Sequence, residues 1–502
     1  MPSTTTAPAG TFTFLTGPTS EIIPFCTMTV CPDWAAAPVP SISSTLVIAT
    51  MELSDATKAY VTIDSSIVAI TNVLLIDGTG TAAQPGQTVI VQNGLITEVG
   101  PAKKVKVPAG AVTVDGTGRT LIPGLIGMHD HMYYSAAGGR SAQMSYTGPR
   151  LYLGAGVTTI RTTGSQSPYG DINLKRRIDQ GMVPGPRIYV TTPYLTGPGG
   201  GGTMSVAETP EQARRFVAYW AEEGASWIKF YTNISREAMG AAIDEAHKQG
   251  MKATGHLCSV TFREAVDLHI DDLAHGGMTA SDFIPGKQPD KCPPNSLVAT
   301  DKGVAGEGPI ATPLIAYMIE HGVSMTTTPA VYELFYQNRP VQDPRVLDLM
   351  APEVRTAYVA ERTQIDTTTN WPLTAEGFAR SLAFDLAFYK AGGVLASGVD
   401  PTGNGGALPG LGDQRGYEIL IEGKFTPEQA VQVVTLNGAK ILGIADVYGS
   451  IAPGKVADLV LIRGDLRTDP KVIQQVEIVF KDGVGYDSPK LIAATKGRVG
   501  ID

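Results

Sequence analysis

The sequence predicts an α/β chain built on a (β/α)8 TIM barrel, with a small composite β-sandwich domain drawn from both flanks. Three observations predict it. Eight strand-like runs alternate with helical segments between residues 121 and 444, the signature of βα units and a parallel sheet. Short β-rich runs punctuated by Gly, Asp and Asn lie on both sides of that region. The 502 residues are enough for a barrel of about 250 residues and a second, smaller domain.

The elements are taken in chain order. Residues 1–44, rich in Thr, Pro, Ala and Ser, form an N-terminal extension with little periodicity, expected to be only partly ordered. From 45 to 120 come TLVIAT, AYVTID, AITNVLLID, TVIVQNGLITEVG and AVTVDG, the strands of an antiparallel sheet. The barrel spans 121–444, with strands in LIPGLIGMHDH, TTIRTTG, PRIYVTTP, ASWIKFY, MKATGHL, DDLAHGG, VSMTTTPA and GVLASGVDP. Helices such as TPEQARRFVAYWAEEGA and SREAMGAAIDEAHKQG start on Thr or Ser and stop on Gly, as caps require. Two longer connections, 278–312 and 330–378, are placed to shape a pocket. Within 445–502, ADLVLIRGD and QVEIVFKDG return to short strands that need the sheet at 45–120 as partner.

Composition narrows the function classes. Hydrophobic residues make up 43% and charged residues 17% of the chain, a globular balance that excludes a highly charged disordered chain. A formal charge of −9 provides no field to hold nucleic acid. No window approaches the ~18 apolar residues of a membrane span, and the first residues lack a basic start and apolar run, so a cytoplasmic protein is expected. The four cysteines, Cys26, Cys31, Cys258 and Cys292, are too few for a disulfide scaffold and form no CxxC pair. Free thiols are expected, with Cys258 a small buried residue.

Chemistry gathers at strand ends. His129 and His131, two apart at the end of the first barrel strand, leave the same face and can grip one metal. Asp130 between them points the other way, toward a structural hydrogen bond. Lys229, His256, His275 and Asp400 stand at the ends of later strands, on the catalytic rim of a barrel. Imidazoles with a carboxylate suit zinc and similar divalent ions. A free ammonium beside a dication is costly; reaction of Lys229 with carbon dioxide, giving a carbamate that bridges two metals, makes it intelligible. The other histidines, His247, His269 and His321, fall at the opposite end, in or near helices. The glycines of 197–203, with no GKS/T after them, read as a mobile loop rather than a phosphate cradle.

In this order and on these strands, HxH, Lys, His, His and Asp resemble the amidohydrolase superfamily, in its binuclear branch with a carboxylated lysine. GTGRTLIPGLIGMHDH, TLNGAKILG and IAPGKVADLVLI extend the likeness from about Ala69 to Asp482. KFYTN, SGVDPTGNGG and PEQAVQVVTLNGA are similar to the imidazolonepropionase-related, Xaa-Pro dipeptidase-like subgroup. The extension 1–64 goes beyond the pattern.

The resemblance implies a hydrolase cleaving a C–N bond of an amide, dipeptide, carbamate or urea-like small molecule with an apolar or aromatic group. It implies two divalent ions, zinc or else manganese or cobalt, sharing a bridging hydroxide. His129, His131 and Asp400 would hold the more buried ion and His256 and His275 the second, with carboxylated Lys229 between them and Asp400 moving the proton. Tyr231, Tyr133, Tyr134 and Tyr332 are candidate substrate contacts, and Arg339 or Lys287 could meet a substrate carboxylate. Hydrolysis of a cyclic amide, lactone or phosphotriester is the alternative. A non-catalytic scaffold is disfavoured because all six ligand positions are filled. A homo-oligomer without nucleic-acid or membrane partners is expected.

Overall fold

A computed structural model describes residues 52–339 and 343–501; the extension 1–44 and the run 45–50 lie outside the described residues. Each of the eight runs between 121 and 401 carries a strand: Leu125–Asp130, Val157–Thr162, Arg187–Tyr189 continuing as Thr191–Thr196, Trp227–Phe230, Lys252–Gly255, Asp272–Ala274, Ser324–Thr327 and Leu395–Ser397. They pair in parallel in chain order. The third run belongs to two sheets, since Tyr189 pairs with Arg161 and Thr191 with Trp227. Beyond the last strand, the Asp400 N–H donates to the His129 carbonyl at 2.8 Å. Gly398 lies so close to this backbone that a Cβ there would stand 2.3 Å from the His129 nitrogen; only glycine permits the approach. The fold is α/β and TIM-barrel-like.

Between the strands, local chemistry sets the helices. Thr209 opens Pro210–Glu222 with a capping box to Gln212, and Ser235 caps Arg236–Lys248 by accepting from the Ala238 N–H. Gly224 and Gly250, at φ +92° and +71°, end them. The long connections are not bare loops. The first contains Ser296–Gly303, and Pro329–Glu333, Pro344–Leu349 and Pro352–Thr367 occupy the second. Each of these last three helices begins on its proline, where the missing N–H costs nothing.

A nine-stranded sheet takes Val61–Ile63, Ile67–Leu75, Gln84–Gln92, Leu95–Pro101, Val112–Asp115 and Arg119–Pro123 from one flank and Leu459–Arg463, Val476–Lys481 and Val484–Asp487 from the other. Leu459–Arg463 pairs antiparallel with Arg119–Pro123, joining the flanks beside the start of the first barrel strand. Val68, Val89, Leu121, Leu459 and Phe480 pack into one core beneath it. Among the described residues no helix is long and apolar enough to cross a membrane.

Two expectations are corrected. The sheet is mixed rather than antiparallel, since Ile67–Leu75 pairs in parallel with Val112–Asp115 and with Arg119–Pro123. Cys258 and Cys292 form a disulfide across 34 residues of sequence rather than standing as free thiols. The folded path of the first long connection brings Cys292 back to the end of the fifth strand, which spacing alone does not reveal.

Candidate metal centre

His129 is the second-last residue of the strand Leu125–Asp130, His131 stands just beyond it, and both are buried. Lys229 lies within Trp227–Phe230, wholly buried. His256 and His275 each follow their strand by one residue, and Asp400 lies three beyond Leu395–Ser397. His275 and Asp400 have φ of +76° and +48°, a left-handed backbone that costs a side-chain-bearing residue about 1–3 kcal/mol and tends to persist where function requires it.

The structure brings these six side chains together. Ligand atoms of His129, His131 and Asp400 lie within 4.8 Å of one another. Asp400 Oδ2 is 3.6 Å from His129 Nε2 and 3.8 Å from His275 Nδ1. The His275 ring lies with its centre 4.2 Å from that of His129 and 4.3 Å from that of His256. His131 Nδ1 is 3.0 Å from the Gly164 carbonyl, which only accepts, so Nδ1 bears the proton. Its Nε2 lies 3.1 Å from Asp400 Oδ1.

Charge state supports the same reading. Burial, reinforced by Lys229, holds His129 well below the usual imidazole value, and takes His256 down to about 3. Burial and the neighbouring His256 do the same to His275. Burial pulls the Lys229 ammonium down to about 7 against the attraction of Asp400, and its Nζ has no hydrogen-bond partner among the described residues. Burial works to raise Asp400, but the hydrogen bond and charge of His131, with Lys229 and Thr402, hold it below the ordinary carboxylate value. Neutral imidazoles at His129, His256 and His275, an ionised carboxylate and an orphaned amine facing one space are a donor set for cations. These residues fit divalent metal.

Above them opens a cavity of about 430 Å³. Tyr133, Tyr231 and Tyr332 line it; so does Tyr194, whose hydroxyl bonds that of Tyr133 and lies 3.4 Å from His131 Nε2. Burial raises all four phenols, Tyr231 to about 12, so each keeps its proton at neutral pH. Tyr134 turns away, its hydroxyl donating to the Gly405 carbonyl at 2.6 Å, because successive strand residues face opposite sides. Asp130 also points away and accepts from the Val399 N–H at 3.0 Å. Arg339 and Lys287 are spent elsewhere: Arg339 bonds Glu333 and Glu422, and Lys287 donates to the Ser259 and Gln288 carbonyls. His247 pairs with Asp271 at 2.9 Å, and His269 and His321 border a separate cavity against the start of Ser324–Thr327. Sequence reading missed Thr328, whose Oγ1 lies 2.8 Å from His275 Nδ1; only its position one residue beyond a strand end could have pointed to it.

The sequence pattern of the amidohydrolase family matches residues 120–291 and 371–485. The chain belongs to the amidohydrolase family. It is a metal-dependent hydrolase of carbon–nitrogen bonds, acting on small molecules. Among curated proteins it is 24% identical over 423 residues to a dihydroorotase of Pelotomaculum thermopropionicum, covering 78% of this chain and 89% of that one. Among solved structures it is similar to a putative prolidase from Bifidobacterium longum, with TM-score 0.60, 23% identity and coverage of 86% and 99%. A phenylurea hydrolase B gives TM-score 0.60 at 20% identity, covering 85% and 98%. These two structures share its fold.

Proposed function

We propose that this family member hydrolyses an amide, carbamate or urea-like bond carrying an apolar or aromatic group, at a centre for two divalent ions, zinc foremost. His129, His131 and Asp400 would hold one ion and His256 and His275 the other, with Lys229, carboxylated by carbon dioxide, as the remaining anionic ligand. The observation that carries the reading is the buried Lys229 Nζ, without a hydrogen-bond partner and brought down to about 7, among neutral imidazoles. Near neutral pH an appreciable fraction is free amine, the form that adds carbon dioxide and releases a proton to become a carbamate. We also read the eight strands as one closed barrel spanning 121–444, set against a β domain of 45–120 with 445–502.

When bound, the ions supply Lewis acidity that activates a water and polarises the scissile carbonyl. The chain does the rest. Asp400, ionised and oriented by His131 and Thr402, takes the proton of the attacking water and delivers it to the leaving nitrogen as the C–N bond breaks. The Tyr231 hydroxyl, protonated at working pH, donates toward the substrate carbonyl, with Tyr133 and Tyr332 forming the walls. Homo-oligomeric assembly and cytoplasmic residence complete the proposal; the disulfide is the observation that weighs against the latter.

Elemental analysis of the purified protein, paired with turnover of N-acyl amino acids, dipeptides, aryl carbamates and phenylureas with and without zinc, manganese or cobalt, tests this reading. About two ions per chain with turnover is expected; no metal and no turnover after reconstitution overturns it. Asp400→Asn should fold as the parent does and lose turnover.

A further inference from the structure

We infer that the substrate carries no carboxylate or other anionic group away from its scissile group, and that Ser281 is the side chain that recognises its neutral polar end. The inference rests on the C–N hydrolase reading above and narrows its substrate class.

Ser281 opens the short 3-10 turn Ser281–Phe283 and lines the cavity. It is 2% exposed, and its Oγ has no hydrogen-bond partner among the described residues. A buried hydroxyl left unpaired carries a desolvation penalty that a ligand facing it removes. A hydroxyl both donates and accepts, so the group it suits is a carbonyl oxygen or an N–H.

Among the described residues, the rest of the wall offers an anionic group hydroxyls and the Gln166 amide but no cation. Met204, Leu257, Met278, Leu297, Val331 and Phe335 supply apolar surface around the cavity. Among the described residues that line it, Lys229 is the one Lys or Arg, and it belongs to the centre itself. The two basic loop residues suited to a carboxylate are committed, Lys287 to backbone carbonyls and Arg339 to carboxylates. A carboxylate entering this wall would lose its water without gaining a cation or a bidentate partner. An aryl or alkyl body would bury its surface there at no such cost.

Matched pairs assayed on the metal-loaded full chain test this. They are acetanilide against 4-acetamidobenzoate, 1,1-dimethyl-3-phenylurea against its 4-carboxyphenyl analogue, and ethyl phenylcarbamate against its 4-carboxyphenyl analogue, with N-benzoylglycine and glycyl-proline alongside. The neutral member of whichever pair is hydrolysed should show kcat/KM roughly a hundredfold or more above its carboxylated partner. Ser281→Ala should raise KM for the neutral substrate by about tenfold with kcat little changed, and Ser281→Thr, which keeps a hydroxyl, should retain more of the affinity. Leu297→Arg should reverse the preference within a pair. Equal or better turnover of the carboxylated members, or turnover of the dipeptide and N-benzoylglycine alone, overturns the neutral-substrate inference while leaving the hydrolase reading standing. Absence of turnover across the whole panel overturns both.

Discussion

Thr328 sits where it can decide how His275 binds. Its Oγ1 is 2.8 Å from His275 Nδ1, and a partner of this kind sets the tautomer and direction of an imidazole ligand. Thr328→Val keeps the shape and removes the hydroxyl, so metal affinity should fall about 10–100-fold without loss of fold, measured by competition against a chelator. An unchanged affinity would show that His275 is oriented by packing alone. A second residue, Asp385, carries a pH signature. Burial raises its carboxyl to about 7 from the ordinary 3.8, although Thr327 and Gly277 donate to it. Between those values the unfolded chain has released the proton that the folded chain retains, so Asp385 contributes fully at low pH and the contribution is lost as pH rises through 7. Asp385→Asn should therefore gain on the parent as pH rises from 4 to 7, by at most about 1.4 kcal/mol per unit. Melting temperatures at pH 5 and pH 8 check it, and a constant difference between the two proteins would rule the account out.

The elements divide cleanly into those that local sequence reveals and those it does not. Each barrel strand is short, built mostly of apolar, small or β-branched residues and bounded by turn residues, and the helices Pro210–Glu222 and Arg236–Lys248 carry their own caps, so alternation and punctuation locate them. Pro329, at the end of the run VSMTTTPA, and Pro344 and Pro352, inside the long connection, each open a helix; proline suits a loop and a first helical turn alike, and only the residues after it decide between them. At the site, strand ends expose His129, His131, Lys229, His256, His275 and Asp400 to a reading by position. Ser281 gives no such signal and Thr328 gives only its place one residue beyond a strand end, because what marks them is who stands opposite in space. The Cys258–Cys292 disulfide is of the same kind. It ties the end of the fifth strand to the connection that carries Ser281, Ser296 and Thr300 into the cavity wall. Closing a loop of 34 residues is worth about 3–4 kcal/mol in the chain-entropy account. The Cys258→Ser, Cys292→Ser pair should lower stability by up to that amount, and KM should rise more than kcat falls, since the connection walls the pocket rather than the metal centre. Thermal melts of the oxidised and dithiothreitol-treated parent give the same comparison without mutation. A melt insensitive to reduction would remove the disulfide from the account of this loop.

Across the whole molecule, the centre stands on a buried ion pair whose contacts join six barrel strands. Asp272 accepts from Arg161 Nη2 at 2.8 Å and from Thr254, Ser324 and Thr326. Arg161 also donates from Nε to the Met128 carbonyl at 2.8 Å and lies over the Trp227 ring, 4.3 Å from its centre. Both partners are fully buried, so neither charge can be lost without stranding the other in a medium that solvates it poorly. Asp272→Asn keeps the volume and two of the acceptor contacts but leaves Arg161 uncompensated. The expected cost is about 3–5 kcal/mol, whereas replacing Arg161 and Asp272 together by apolar residues of similar size should cost much less than the sum of the single changes. Urea midpoints at constant m-value measure the cycle. The two outcomes separate two roles for the pair. If the double variant keeps its stability but loses metal affinity, the pair exists to position the strands that carry Lys229, His256 and His275. If both are retained, packing alone holds these strand ends in register, and the ion pair is one of several ways to fill the interior.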